Sequence, residues 1–486
     1  MLPNSFSFLA FFAALTLVYY VVPHRFRWPL LLVASLYFYA TFDPRYLILL
    51  FAVTLVAYVG GLLLGTSTAA SSRKLVLGIS IIAVVGALLF FKYWNFFADS
   101  AGAVAAVFES TAGFPLLPTF PRLNLILAVG LSFYTFSCLS YLVDVYREQI
   151  PVERHFGFFA LYVSFFPKLL AGPIERAKPF LGQIREPVRF SAAGISIGLQ
   201  LMLWGLFKKV VIADRLAIFV DGAYGQAAFA SPADLLIATY FFAFQLYCDF
   251  SGYSDMAIGA SMVLGINLMQ NFRRPYLSAS TREFWGQRWH LSLASWFRDY
   301  IYIPMGGSRV SRLRKHINIM IVFLVSGLWH GAAWTFVIWG GINGLYQVIS
   351  DLTRGMQQKI SGIIRWPNRV RTLASVLITF HLILPTWVFF RADSFADATT
   401  VFTRIAGSFG NLPSMLQARL RTSEILISVV LIAILVAIEI LDERKPWRER
   451  LADKSISVRW AVYYGAVLAL LVLGTWQLQN FVYMQF

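Results

Sequence analysis

Apolar residues recur along this 486-residue chain in long blocks from one end to the other. The blocks fall at about 5–22, 28–41, 46–66, 76–95, 123–144, 157–171, 192–213, 233–250, 253–268, 316–330, 333–350, 371–390, 423–441 and 458–476. A helix needs about 20 such residues to cross roughly 30 Å of hydrocarbon. The pattern therefore predicts an all-α polytopic membrane protein with about 11–13 membrane-embedded helices. Several blocks are short or interrupted by glycine. Some of these would enter and leave on the same side, which is allowed only inside protein or beside water. The first block lacks a basic leader and a small-residue cleavage site, so it is expected to be a retained span.

Composition strengthens this reading. The chain is 58% hydrophobic and 13% charged, with a mean hydropathy of +0.66. Its 44 Phe, 22 Tyr and 14 Trp suit lipid-facing belts and the walls of internal cavities. The two cysteines, Cys138 and Cys248, lie in apolar blocks and are expected to be small hydrophobes rather than a disulfide. The net charge of +17 sits in short loops, where it reads as membrane orientation and as attraction to anionic lipid headgroups. No nucleic-acid-binding motif accompanies it, so no nucleic acid partner is expected.

Loop charge orients the chain. Basic residues follow the first block (His24, Arg25, Arg27), the third (Arg73, Lys74) and the fifth (Arg147 to Arg154). These alternate loops belong on the cytoplasmic side. The basic loops Arg365–Arg371 and Arg444–Lys454 fit the same scheme, which puts both termini outside the cytoplasm. The longest tract between blocks, about 270–315, carries eight arginines among nine Trp, Phe and Tyr residues. It is expected to form amphipathic helices at the cytoplasmic interface, with a turn at Pro304-Met305-Gly306-Gly307. Residues 396–420 form a second, weakly charged polar tract expected on the other side.

An ionisable side chain inside hydrocarbon is a functional candidate. His330 meets that condition, in Ser326-Gly327-Leu328-Trp329-His330-Gly331-Ala332-Ala333-Trp334. Leucine would serve there without the desolvation cost of a polar group, on the order of 2–7 kcal/mol. The bland alternative is a hydrogen-bonded histidine fixing two helices. His290, in Arg288-Trp289-His290-Leu291, lies at the edge of the arginine-rich tract, where a structural role competes more evenly. His24, His155 and His316 read as loop histidines, and His381 as a packed one. Asp249 and Asp255 flank Gly252-Tyr253-Ser254 and need partners, for which Arg273 and Arg274 are candidates. With Asn267 and Asn271 they form either a support network or a tunnel wall. Gly172-Pro173-Ile174-Glu175-Arg176 reads as a helix interruption with a charge pair.

Other chemistries lack their signatures. There is no metallopeptidase pattern, no phosphate-binding Gly-rich loop and no nucleophile elbow, and Ser251 is a weak nucleophile candidate. No metal and no bound cofactor are expected. A lone imidazole acting as general base suits acyl transfer from an activated donor to a hydroxyl.

The blocks Phe91-Lys92-Tyr93, Phe133-Tyr134-Thr135-Phe136, 170–176 (LAGPIER), 247–257 (YCDFSGYSDMA), 271–277 (NFRRPYL), 288–307 and 327–341 resemble the membrane-bound O-acyltransferase family. They are most similar to its bacterial branch that O-acetylates exported polysaccharides, alginate among them. Residues 386–392 (TWVFFRA) fit the same branch. The resemblance implies one domain over 1–486: N-terminal helices at 1–150, a catalytic core at 151–350 with a cytoplasmic donor funnel at about 270–315, and C-terminal helices at 351–486. It implies a ring of helices around a central tunnel, with His330 as the base and His290 as the second catalytic residue. Trp329, Trp334, Asp249, Ser251, Tyr253, Asp255, Arg288, Trp289, Arg298 and Asp299 would line the tunnel or bind substrate. Related bacterial sequences run Phe-Trp-Arg-Arg-Trp-His, whereas Phe284 to His290 is one residue longer. One extra helical residue rotates what precedes it by about 100°, so the resemblance carries over His290 but not Phe284 and Trp285.

The expected reaction is transfer of an acetyl group from a cytoplasmic thioester, acetyl-coenzyme A, towards hydroxyls of an exported polysaccharide. An extracytoplasmic acetyltransferase partner could relay it. The expected location is the bacterial inner membrane. The alternatives are transfer of D-alanine to teichoic acid and, outside enzymes, a transporter in which His330 relays protons.

Overall fold

The computed structural model describes residues 1–112, 120–363, 367–408, 410–476 and 481–482. Among them the only regular elements are helices, and the chain is an all-α polytopic membrane protein. Seven of the described helical segments are long and apolar enough to cross a membrane. The helices gather into two compact units. One comprises Phe11–Phe190 with Met1; the other comprises Ser191–Phe486 with Leu2–Ala10.

The first unit contains α2 (Arg27–Ala40) and α3 (Tyr46–Thr66), with most of α1 (Phe6–Val21). Next, α4 (Ala70–Leu88) runs through a π turn at Leu89–Tyr93 into α5 (Trp94–Ala112). The predicted span at 123–144 begins later than expected, as α6 (Leu131–Tyr146). Gly130 precedes it with φ +79, and a β-carbon there would press on the Leu169 carbonyl oxygen. Nearly every side chain of α6 is buried, as expected of a helix at the centre of a bundle.

The predicted span at 157–171 is broken. α7 (Phe156–Ser164) stops at Phe165, and α8 (Phe166–Leu169) restarts with Pro167 in its first turn. Pro167 lacks the N–H that a continuing helix would need at that position. The 170–176 stretch does interrupt the helix, as the sequence suggested, before α9 (Ala177–Arg185).

In the second unit, α10 (Ala192–Leu206) continues through a π turn at Phe207–Ala213 into α11 (Asp214–Tyr224). The two predicted spans at 233–250 and 253–268 are one helix, α12 (Pro232–Val263). Gly252 does not break it. A single residue of poor helix propensity costs only about 1 kcal/mol, and packing outweighs that here. A β-carbon on Gly205 would lie 2.5 Å from the Gly252 carbonyl oxygen, and one on Gly198 2.6 Å from that of Gly259. The glycines let α10 and α12 touch backbone to backbone, as small residues do in membrane helices. α12 is the core of this unit, with most of its residues buried.

Residues 270–310 form short helical pieces. They fold into a short helix at α13 (Thr281–Glu283), a π turn at Phe284–Arg288, α14 (Leu291–Phe297) and a second π turn at Arg298–Tyr302. The aromatic side chains Phe284, Trp289, Trp296 and Phe297 are buried. The expected turn is present, with Gly306 and Gly307 at positive φ.

Then α15 (Arg312–His330) and α16 (Trp334–Leu352) pack side by side. Gly327 and Gly340 meet at their contact, where a β-carbon on Gly327 would strike the Phe336 carbonyl. After α17 (Arg354–Ile363) comes α18 (Asn368–Arg391). The polar tract at 396–420 holds α19 (Phe395–Gly407) and α20 (Leu412–Arg419). α21 (Ser423–Asp442), α22 (Trp447–Ala452) and α23 (Ile456–Leu473) complete the helices. α23 is almost wholly exposed apart from Leu470, so its apolar surface is left for lipid.

Candidate active site

The second unit brings the two singled-out histidines together. His330 is the last residue of α15, and His290 caps the start of α14. Their ring centroids are 6.4 Å apart, and both side chains are almost fully buried. Gly331 turns the chain into extended geometry directly after His330, so the imidazole sits at a helix end rather than within a continuous span. Trp339 stands edge-on to His330 at 5.0 Å and Phe390 at 5.3 Å. Trp329 faces His290 at 5.9 Å. The indole N–H groups of Trp339 and Trp387 are buried with no acceptor among the described residues.

His290 adopts left-handed backbone geometry, φ +46 and ψ +55. Such geometry is uncommon outside glycine, though His, Asn and Asp accept it more often than other residues. Its frame is a polar knot around Asn271, which is wholly buried. The Asn271 side chain donates to Ser254 Oγ of α12 at 3.0 Å and accepts from Ser292 Oγ at 2.9 Å, while its backbone carbonyl accepts the Leu291 N–H. Phe250 of α12 lies edge-on to the His290 ring at 4.6 Å.

The extra residue upstream of His290 is taken up by the π turn at Phe284–Arg288, closed by the Trp289 N–H on the Phe284 carbonyl. A π turn holds one more residue than an α turn, so what precedes it is not rotated away. Phe284 stacks on Trp289 at 5.4 Å. Trp285 packs on Trp339 at 5.3 Å and donates to Asn343 Oδ1. Both side chains excluded by counting residues thus belong to the site's aromatic wall.

The carboxylates of α12 find partners other than Arg273 and Arg274. Lys209 Nζ lies 2.7 Å from both Asp249 and Asp214, and all three are buried. Lys208 Nζ lies 2.7 Å from Asp255 and 2.9 Å from Ser251 Oγ. Both lysines come from the π turn between α10 and α11. Asp249 also accepts the Val482 N–H at 2.8 Å, and Lys209 faces the Phe481 ring at 4.2 Å. Tyr253 meets the same Phe481 ring edge-on. The network therefore anchors residues 481–482. Tyr247 adds a buried hydrogen bond to Glu439 of α21. Sequence reading missed Lys208, Lys209 and Glu439. The signal was available, since each is an ionisable residue in an apolar block.

Comparison with known proteins decides the family. A model of the membrane-bound O-acyltransferase family matches residues 126–391. The probable alginate O-acetylase AlgI of Azotobacter vinelandii is 37% identical over 438 residues, covering 88% of this chain and 83% of its own. The chain belongs to the membrane-bound O-acyltransferase family. It is an O-acyltransferase. The peptidoglycan O-acetyltransferase of Helicobacter pylori is 35% identical, over 78% of this chain and 74% of its own. The teichoic acid D-alanyltransferase of Bacillus subtilis is 27% identical, over 55% and 69%.

The family match includes both histidines of the pair and Lys208 and Lys209, while Glu439 and Val482 lie beyond it. The remaining residues expected at the candidate site are spread over buried and exposed positions. Trp289 is buried and packs on Trp387 at 5.0 Å. Arg288 is tied to Glu283 and Glu443, and Arg274 to Asp442 and Glu443, in one ionic cluster. Arg298 pairs with Asp299 on a more exposed surface. Trp334, 58% exposed, stands outside the buried set.

Proposed function

We propose that this acyltransferase moves an acetyl group from acetyl-coenzyme A towards hydroxyls of an exported polysaccharide. The observation that carries the reading is the pair of buried histidines, 6.4 Å apart within an aromatic wall. The named functions of the alginate and peptidoglycan relatives supply the acceptor class. The teichoic acid relative is more distant and matches less of the chain, which favours acetyl over D-alanyl transfer.

In the proposed step His330 takes the proton from the attacking hydroxyl as its oxygen bonds to the thioester carbonyl carbon. The tetrahedral oxyanion collapses, the carbon–sulfur bond breaks, and the thiolate takes the proton back from the imidazolium. His290 orients the thioester. The Trp339 and Trp387 N–H groups are available to a carbonyl oxygen, where charge develops. Holding both reactants beside one base removes much of the entropic barrier.

The loop charges favour a donor entering from the cytoplasm, near the arginine-rich 270–315 tract, with both termini on the opposite side of the bacterial inner membrane. A partner acetyltransferase on that opposite side would relay the group to the polymer. The test is His330→Ala in the producing cell, with mass analysis of surface glycans. Loss of glycan acetylation at normal expression is expected, and acetylation at the normal level would sink the assignment. Purified protein offered acetyl-coenzyme A or a D-alanyl carrier distinguishes the two donors.

A further inference from the structure

His290 sits on a strap that is tied to the chain beside it. The Arg273 N–H donates to the Arg288 carbonyl at 2.8 Å, and the Leu291 N–H to the Asn271 carbonyl at 2.9 Å. These bonds clip residues 271–273 to residues 288–291, with His290 inside the clip. His290 and Arg274, at the edge of the clip, both have φ +46. Left-handed geometry outside glycine persists only where the surroundings hold it.

The hold comes from the end of α21. Arg288 forks onto Glu443, with Nη2 3.0 Å from Oε1 and Nη1 3.3 Å from Oε2, and its Nε donates to Glu283 at 2.6 Å. Nη1 also donates to the Arg274 carbonyl at 3.3 Å. Arg274 in turn places Nε 2.8 Å from Glu443 and Nη1 2.8 Å from Asp442. Glu443 thus grips an arginine on each side of the clip. An isolated surface ion pair contributes little, but charges that share partners in a network hold geometry better. One turn earlier on α21, Glu439 accepts from Tyr247, whose ring stands edge-on to Phe272 at 6.0 Å. Phe272 lies nearly parallel to the His290 ring at 6.2 Å. The helix therefore reaches His290 by an ionic route and by an aromatic one. Arg288 directs Nε and both terminal nitrogens at protein acceptors, and Glu283 and Glu443 offset its charge. Such a guanidinium is poorly placed to serve a donor phosphate.

We propose that Glu443 is a positioning residue for acyl transfer: through Arg288 and Arg274 it holds the strap that sets the His290 imidazole opposite His330. The proposal rests on the reading of these two histidines as the acyl-transfer pair. It gives a role in the reaction to α21, which lies beyond the residues 126–391 matched by the family model.

The experiment has two readouts. Membrane vesicles from the producing cell, which carry the full chain with its own acceptors, are given acetyl-coenzyme A. Separately, the full chain in detergent is treated with diethyl pyrocarbonate, and modification of each histidine is followed by mass analysis. Glu443→Lys repels both arginines and should lower the maximal rate per chain about tenfold, as small misplacements of a reacting group do. KM for acetyl-coenzyme A should stay within about threefold, because a positioning residue does not bind the donor. Glu443→Asp keeps the charge and should recover most of the rate. In Glu443→Lys, His290 should be modified at least about threefold faster, as local release of the strap requires. His316, partly buried in the same unit and held by Asp351, should keep its wild-type rate. An unchanged maximal rate, a raised KM alone, or no recovery in Glu443→Asp overturns the positioning role. So does equal acceleration at His316, which would mean a general loosening of the fold. A wild-type chain that turns over no acetyl-coenzyme A, with His290 still released by Glu443→Lys, overturns the acetyl-transfer reading instead and leaves the clamp standing.

Discussion

The imidazole rings of His290 and His330, forty residues apart in the chain, lie with their centroids 6.4 Å apart. The spacing is too long for a direct hydrogen bond and short enough for both rings to touch one small group between them. In the proposed reaction one imidazole serves as base and the other positions the donor.

The His290 backbone sharpens this into a test. Asparagine tolerates left-handed geometry and retains a polar side chain, whereas alanine does neither. His290→Ala should lower the acetyl-transfer rate by about a hundredfold, within the usual span for an acid–base or polarising group. His290→Asn should retain clearly more. Equal rates for the two variants would remove His290 from the polar work of the site.

Trp339→Phe keeps an aromatic ring beside His330 and removes only the buried N–H. If that group meets the acyl oxygen, kcat should fall about ten- to a hundredfold, with KM and thermal midpoint little changed. A variant with wild-type kcat would assign Trp339 to packing alone.

Lys209 bridges Asp249 and Asp214 with every partner buried. Lys209→Met leaves two carboxylates facing each other without a cation. Breaking a buried pair from one side costs about 3–5 kcal/mol, so the thermal midpoint in detergent should drop sharply. The drop should exceed that for Asp249→Asn, which leaves Lys209 its other carboxylate. The reverse order would mean that Lys209 is not the hub.

Glu443 gives a pH dependence. Burial alone would raise its carboxyl, but the hydrogen bond from Arg288 and the charges of Arg288, Arg274 and Arg273 outweigh burial and hold it below the ordinary range. A carboxyl held low stabilises the fold above its unfolded pKa of about 4.3. That contribution fades as pH falls through the folded value. Wild type should therefore melt above Glu443→Gln at pH 7, and the gap should close between about pH 5 and pH 3. A constant gap across that window would trace the difference to something other than this carboxylate.

Hydropathy and a few dense motifs made much of this protein legible. The apolar blocks predicted the membrane class and located most of the helices. His330 stood out because an ionisable group in hydrocarbon needs a reason. Both readings use local information, carried by neighbouring residues in the chain.

Contacts between distant segments required the tertiary structure. Gly252 looked like a break until α10 came up against it and turned the glycine into a packing surface. The nearest arginines in sequence are only candidates for Asp249 and Asp255, while the convergence of helix faces gives them Lys209 and Lys208. The extra residue before His290 appeared to shift register until a π turn absorbed it. The chain by itself determined a helical membrane protein with a costly histidine. Which groups surround that histidine was decided in three dimensions, because pairing energies depend on distance in space and hydropathy depends only on order along the chain.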